Sequence, residues 1–370
     1  MYAGAKAVFY SLSRSARLKR LASKYGMRSR DSFARRFIAG ETVEEAIDTS
    51  RHIQADGLHI TLDYLGESVR TVEEADAATR AYVRLLDIIV AAGIERNISL
   101  KLTQLGASID RATCVDNLRR ILEPAGRHGF FVRIDMENSP WTQMTLDIFE
   151  TLWQQEYRNV GVALQSALYR TERDVQRMNE LGARVRLVKG AYKEPQSVAY
   201  QQKPDVDAAF LRLARMLLDS GTYPAIASHD PVMIQGTRAY AAERGFGKDR
   251  FEFQMLYGIR RDLQAELSSE GYAVRLYIPF GREWFPYFMI HEPAKWAGWQ
   301  STSAAAQHLD RLKQMQAQIY QILATRSGKP LQKIIRDTKR TDFYLDARKA
   351  LDYGLIDGIV EGATPPLAEP

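Results

Sequence analysis

Four groups of residues in this sequence have types and spacings suited to chemistry. Arg186 and Lys189 bracket a short apolar run, Arg186-Leu-Val-Lys189-Gly190-Ala191-Tyr192, in which a buried strand runs into a cationic pair and then a glycine. Lys101 closes a second such run, and Asp135 and Glu137 close a third, two apart and so on one side of a strand. A lysine and an aspartate at neighbouring strand ends suit a buried ion pair, either at a site or as a plain core salt bridge. Ser228-His229-Asp230 ends another run; by itself a histidine beside an aspartate is weak evidence of chemistry. Gln165, Gln254, Tyr277 and Tyr287 add amides and phenols.

These residues share a context that must position them. Eight stretches have the same build, β-branched or apolar and ending in polar residues: Leu58 to Gly66, Ile98 to Gly106, Phe130 to Asn138, Val160 to Ala167, Val185 to Tyr192, Pro224 to Asp230, Phe251 to Gly258 and Val274 to Gly281. Segments of helical periodicity separate them, such as Ala81, Leu85, Ile88 and Ile89. Strand and helix in strict alternation predict a parallel sheet with crossover helices, and eight such units predict an α/β (β/α)8 TIM-type barrel. The candidate residues then fall at the C-terminal strand ends, where such barrels place their sites.

Composition narrows the classes. The 370 residues are 45% hydrophobic and 26% charged, as in a globular chain, and no apolar run is long enough for a membrane-spanning helix. One cysteine, Cys114, excludes a disulfide framework and points to a reducing, cytoplasmic setting. His and Cys are too few, and the acids too scattered, for a metal centre. No Gly-x-Gly-x-x-Gly follows a strand, so no separate dinucleotide fold is expected. A mouth lined with Arg, Lys, Gln and Tyr suits a large anionic organic cofactor, the cations taking a pyrophosphate and the amides a flavin or nicotinamide ring.

The net charge of +6 is concentrated near the start, where ten basic residues lie between Met1 and Arg36 against one acid, Asp31. The first reading is a solvated helical face packed through Leu12, Leu18, Leu21 and Phe33. The alternatives are contact with an anionic membrane surface, peripheral at the inner membrane, and a targeting segment. The lack of accompanying aromatic stacking motifs argues against nucleic acid.

Longer motifs are more specific. Arg186 to Pro195, Ser228-His229-Asp230, Phe251 to Leu263 and Arg275 to Trp284, in that order, resemble proline dehydrogenase of the short, monofunctional bacterial type, over about residues 33–288. The resemblance implies a barrel that binds FAD, oxidises L-proline to Δ1-pyrroline-5-carboxylate and passes electrons to a quinone. It also implies that Gln165, Arg186, Lys189, Gly190, Ala191, Ser228, His229 and Gln254 hold the flavin, Ser228 standing where threonine is usual. Lys101, Asp135, Tyr277 and Tyr287 would surround the proline ring. Three and four residues after the position of Tyr287 the family carries two arginines that clamp the substrate carboxylate; here Ile290 and His291 stand there. An aliphatic group and an imidazole cannot supply a bidentate cationic fork, so weakened proline binding is expected.

From Met289 the motifs change. Met289 to Pro293, Thr325 to Leu331, Asp337 to Tyr344 and Ala350 to Asp357 resemble the proteolytic subunit of Clp protease, with His291 and Asp342 matching a triad's base and acid. The nucleophile-bearing part of that family is absent, and no Gly-x-Ser-x-Gly occurs in the chain, so no peptidase is expected. The expected organisation is a basic helical segment at 1–40, an FAD-binding barrel at 41–288 and a mainly helical tail at 289–370 that replaces the barrel's last helix. Residues Ala304 to Thr325 have the length to cover the exposed face of the first and eighth strands. If they do not, self-association into a homo-oligomer follows from the uncovered apolar strip. The alternative function is a non-catalytic composite, a barrel scaffold carrying an association-prone tail.

Overall fold

The computed structural model describes residues 33–284, 286, 287, 321, 324, 325 and 327–338. The basic segment before residue 33, Ile290, His291, Asp342 and most of the expected tail helices lie outside the described residues. The chain divides into two compact units, Met1–Gly298 and Trp299–Pro370.

The first unit is a closed barrel of eight parallel strands in chain order: β1 (His59–Tyr64), β2 (Asn97–Leu100), β3 (Phe131–Ile134), β4 (Val160–Gln165), β5 (Val185–Val188), β6 (Ala225–Ala227), β7 (Glu252–Leu256) and β8 (Ala273–Phe280). Each lies within one residue of a stretch expected from sequence or inside it, so the expected (β/α)8 architecture is observed. The helices are α1 (Val43–Ala55), α2 (Val72–Ala92), α3 (Arg111–Arg127), α4 (Ser139–Gln154), α5 (Thr171–Leu181), α6 (Lys203–Ser220), α7 (Pro231–Glu243) and α8 (Arg261–Ser269).

Local signals set the helix bounds. Thr71 caps α2 and Glu74 reaches back to it, closing a capping box, and Gly93 ends the helix in the left-handed region. Asp110 and Asp230 cap α3 and α7 through their side chains. The buried face of α2 runs Ala75, Thr79, Tyr82, Leu85, Leu86 and Ile89, a helical stripe against the barrel. Each fully buried Leu or Ile of such a stripe contributes on the order of 1.5–3 kcal/mol.

The barrel closes where β1 pairs with β8 from His59↔Arg275 to Tyr64↔Phe280, the longest register in the sheet. Helix α1, which precedes β1, packs against both strands of this seam. Beside the mouth a smaller cluster forms from Ala34, Ile38, Leu65, Tyr277, Trp284 and Tyr287. Gly258, at φ +77, lets the β7 loop approach this N-terminal turn: a Cβ there would lie 1.7 Å from the Arg36 carbonyl oxygen.

In the second unit a short helix, α9 (Leu331–Thr338), lies within the tail expected to be mainly helical. Residues 321, 324, 325 and 327 are helical, and Gly328 follows them at φ +64.

Candidate active site

Period-two alternation aims one residue in two into the barrel, and here the inward set is polar to an unusual degree. Thr61 and Asp63, Ser99 and Lys101, Arg133 and Asp135, Glu252 and Gln254, and Arg275 and Tyr277 recur two apart on their runs. They form two layers. In the lower one Arg275 pairs with Glu252 at 2.9 Å and with Glu95 at 2.7 Å. Arg275, Glu252 and Glu95 thus form a buried ion cluster, while Arg133 donates to the backbone carbonyls of Val162 at 3.0 Å and Arg184 at 2.6 Å; the layer lies away from the C-terminal strand ends.

The upper layer holds the candidates. Arg186 Nη1 donates to Asp135 Oδ1 at 2.5 Å, its Nε to Gln254 Oε1 at 2.5 Å and its Nη2 to Ser99 Oγ at 2.9 Å. Tyr277 donates its phenol to Asp135 Oδ2 at 2.8 Å. Lys101 Nζ lies 3.4 Å from Asp63 Oδ2 and 4.0 Å from Asp135 Oδ2. Tyr287 stacks on Tyr277 with rings 6.2 Å apart and 11° from parallel. The structure therefore brings Lys101, Asp135, Arg186, Gln254, Tyr277 and Tyr287 into one cluster. Burial would lower the Lys101 pKa, but Asp63 and Asp135 hold it above the ordinary lysine value, so it stays charged. Burial, then the neighbouring carboxylates, push Tyr277 and Tyr287 well up, so both remain protonated.

Gln165 donates to the Glu137 carbonyl at 2.8 Å, and Gly190, at φ +113, sits so close that a Cβ would lie 2.9 Å from Gln165 Oε1. A side chain at position 190 would displace that amide. Glu137 does not join Asp135: it accepts from Thr103 N at 3.0 Å and from Thr103 Oγ1 at 2.6 Å, tying the β3 loop to the β2 loop. Burial raises Glu137 to about 7 against those two donors.

The remaining candidates gather at the ends of β5 and β6. Lys189 Nζ is held by Asp207 at 2.5 Å and by Asp230 at 2.7 Å. Ser228 Oγ accepts from Asp230 N at 3.1 Å. His229 Nε2 accepts from Leu256 N at 2.8 Å, which fixes the neutral ring with its proton on Nδ1. Desolvation, then the Arg260 charge, pushes His229 down to about 4, in keeping with that tautomer. Ala191 is half-buried beside them.

Asp63 and Ser99 were not among the residues singled out from sequence. Each stands two residues before or after another inward polar residue, and that alternation was the available signal. Among the described residues no cluster of His, Cys, Asp or Glu could hold a metal, and no helix is long and apolar enough to cross a membrane.

The proline dehydrogenase family model matches residues 46–288, more than half of the chain. This chain belongs to the proline dehydrogenase family. It is 41% identical over 281 residues to proline dehydrogenase 2 of Bacillus subtilis, covering 76% of this chain and 91% of that one. It is 41% identical over 261 residues to a proline dehydrogenase of Deinococcus radiodurans, covering 70% and 84%. Among solved structures, proline utilization A of Bdellovibrio bacteriovorus, inactivated by N-propargylglycine, superposes with a TM-score of 0.66 at 26% identity. That match covers 70% of this chain, which spans 32% of the larger protein. The Clp protease family model matches residues 283–363, overlapping the proline dehydrogenase match over residues 283–288.

Proposed function

We propose that this chain is an FAD-dependent dehydrogenase that oxidises L-proline to Δ1-pyrroline-5-carboxylate and passes the electrons to a quinone. The observation that carries the reading is the buried Lys101–Asp135–Arg186–Tyr277 cluster at the strand ends of a family-member barrel.

The residues fit a flavin. Gln165, Arg186, Gln254 and the Nδ1 proton of His229 are donors at adjoining strand ends, Ser228 supplies a hydroxyl, and Gly190 and Ala191 keep the β5 loop small. Lys189 would hold a pyrophosphate, after exchanging one of its two aspartate contacts. Bound there, FAD would supply a hydride acceptor for the carbon next to the proline nitrogen. The protein's own part is orientation. Tyr277 and Tyr287 form an aromatic wall for the ring, Asp135 fixes Arg186 and Tyr277, and Lys101 offers its charge to the carboxylate.

Ile290 and His291 replace the arginine pair expected of the family, so binding of proline is proposed to be weakened. Arg260 is not a ready substitute, being turned onto Asp262 at 2.8–3.0 Å. The proposed organisation is a basic segment at 1–40 touching the inner membrane peripherally, a barrel at 41–288 and a Clp-like tail at 289–370 that promotes association. The match of residues 283–363 to Clp protease favours a second reading, a non-catalytic composite.

Absorbance of the purified protein, followed by anaerobic addition of L-proline, separates these readings. Flavin bands that bleach support the dehydrogenase, and a folded, colourless protein supports the composite. Ile290→Arg with His291→Arg is expected to raise proline turnover at least about tenfold, the worth of a charge-assisted bidentate contact. Unchanged turnover in flavin-loaded protein would remove the clamp as the explanation.

A further inference from the structure

Like charges four residues apart on a helix repel and weaken it slightly, so an exposed helix face ordinarily alternates acids with bases. Helix α2 instead carries Arg80 and Arg84, and α3 carries Arg120 and Arg127 two turns apart on one face. The two helices pack side by side on the outside of the barrel. Between them all four arginines line one surface cavity of about 480 Å³, within the size range of small-ligand sites. Val83 and Pro124 share that lining and are half-buried, whereas the arginines are exposed, so the groove has an apolar floor and a cationic rim. Two of the cations are engaged: Arg80 pairs with Asp76, and Arg120 donates to Asp76 at 2.8 Å and to Asn117 at 2.9 Å. Glu123, an acid of the same lining, accepts from the Tyr157 hydroxyl at 3.1 Å. Among the described residues the Arg84 and Arg127 guanidinium groups have no hydrogen bond or ion pair. The described lining together with Asp76 therefore sets four guanidinium groups against two carboxylates, and a dianion would balance the excess.

We infer that this groove binds an organic phosphate monoester, its dianionic phosphoryl group held by Arg84 and Arg127 and its apolar part laid on Val83 and Pro124. Guanidinium groups match phosphoryl oxygens two bonds at a time. The floor sets the groove apart from a diffuse basic surface, which attracts any anion, weakens in salt and gains nothing from an apolar substituent. The site belongs to the helix layer and shares no residue with the cluster at the barrel mouth, so it goes beyond the proline reading and stands without it. A soluble ester and the headgroup of phosphatidic acid offer the same chemistry, and experiment separates the two sources.

The test is calorimetry on the full chain at about 0.15 M salt, where diffuse attraction is screened, with phenyl phosphate and inorganic phosphate as probes. Phenyl phosphate is expected to bind with a Kd below about 1 mM and at least about tenfold tighter than inorganic phosphate. Arg84→Gln with Arg127→Gln, both at exposed positions, is expected to weaken phenyl phosphate at least about tenfold. Arg173→Gln with Arg212→Gln, which removes the same charge from α5 and α6, should change it less than about threefold. Co-sedimentation with phosphatidylcholine vesicles, with and without phosphatidic acid, names the source. Binding that requires phosphatidic acid and is lost in Arg84→Gln with Arg127→Gln assigns the lipid headgroup, and phenyl phosphate binding without it assigns a soluble ester. Neither phenyl phosphate nor vesicles bound, equal affinities for the two phosphates, or equal losses in the two double variants would overturn the site. Should Arg84→Gln with Arg127→Gln fail to fold, the wild-type comparison of the two phosphates decides.

Discussion

Tyr277 shows how much a single atom can be asked to do. Its ring stacks on Tyr287 and lies under the Arg186 guanidinium at 5.3 Å, while its hydroxyl alone reaches Asp135. Tyr277→Phe keeps the ring contacts and removes one hydrogen bond to a charged acceptor, worth about 1.5–3 kcal/mol. On the proline reading, kcat/KM should fall about 10- to 100-fold, and because the bond is already present in the free fold the melting temperature should drop by roughly 2–4 °C per kcal/mol lost. Steady-state kinetics beside a thermal melt checks both halves, and a fall in stability without a fall in kcat/KM would make Tyr277 a packing residue only. The sequence showed Tyr277 at a strand end but not its partner, because Asp135 lies 142 positions away and only the barrel's stagger brings the two together. Lys189 was legible as a strand-end cation for the same reason. Its two aspartates come from α6 and the β6 loop, and no local pattern announces them.

At the scale of elements, the strand starts were legible to within a residue because parallel strands buried on both faces read as continuous apolar runs. What covers the seam was not. Helix α1, upstream of both strands, packs on β1 and β8, and most of residues 304–325, to which the sequence pointed for that face, lies outside the described residues. A helix that precedes the first strand has no crossover to make, so the alternation that reveals the other helices says nothing about where it docks. The same seam is stapled at its base by Glu95, whose carboxylate accepts from Ile60 N at 2.8 Å, meets His59 at 3.2 Å and pairs with Arg275 at 2.7 Å. Burial alone would raise the Glu95 pKa, but the His59 and Arg275 contacts and the Ile60 amide bring it down from 4.5 to about 2. A carboxyl depressed on folding stabilises the fold above its unfolded pKa and loses that contribution as pH falls toward the folded one. Glu95→Gln should therefore cost about 2–3 kcal/mol at pH 7, with the gap to wild type closing between pH 4.5 and about 2. Urea melts at pH 7 and pH 3 measure it; a gap that stays constant with pH would mean the carboxylate contributes by packing alone.

At the scale of the whole molecule, two family signals meet near residue 283, and their chemistry is incompatible with two working sites. The barrel half carries a complete polar layer, every member of which comes from residues before 288. The tail half carries His291 and Asp342, which by resemblance match a base and an acid, and the sequence contains no Gly-x-Ser-x-Gly to supply the serine that such a pair would activate. A base without an oriented nucleophile accelerates nothing, because general-base catalysis needs the proton and its acceptor within hydrogen-bond reach. Motif order made this legible from the sequence, whereas the placement of the tail's residues depends on contacts that no periodicity encodes. The chain should accordingly hydrolyse no peptide substrate of a serine protease and take no label from a fluorophosphonate probe, with or without His291→Ala. Labelling of any serine that disappears in the His291→Ala variant would show a nucleophile recruited from elsewhere in the chain, and would make the tail an active half instead of an inherited one.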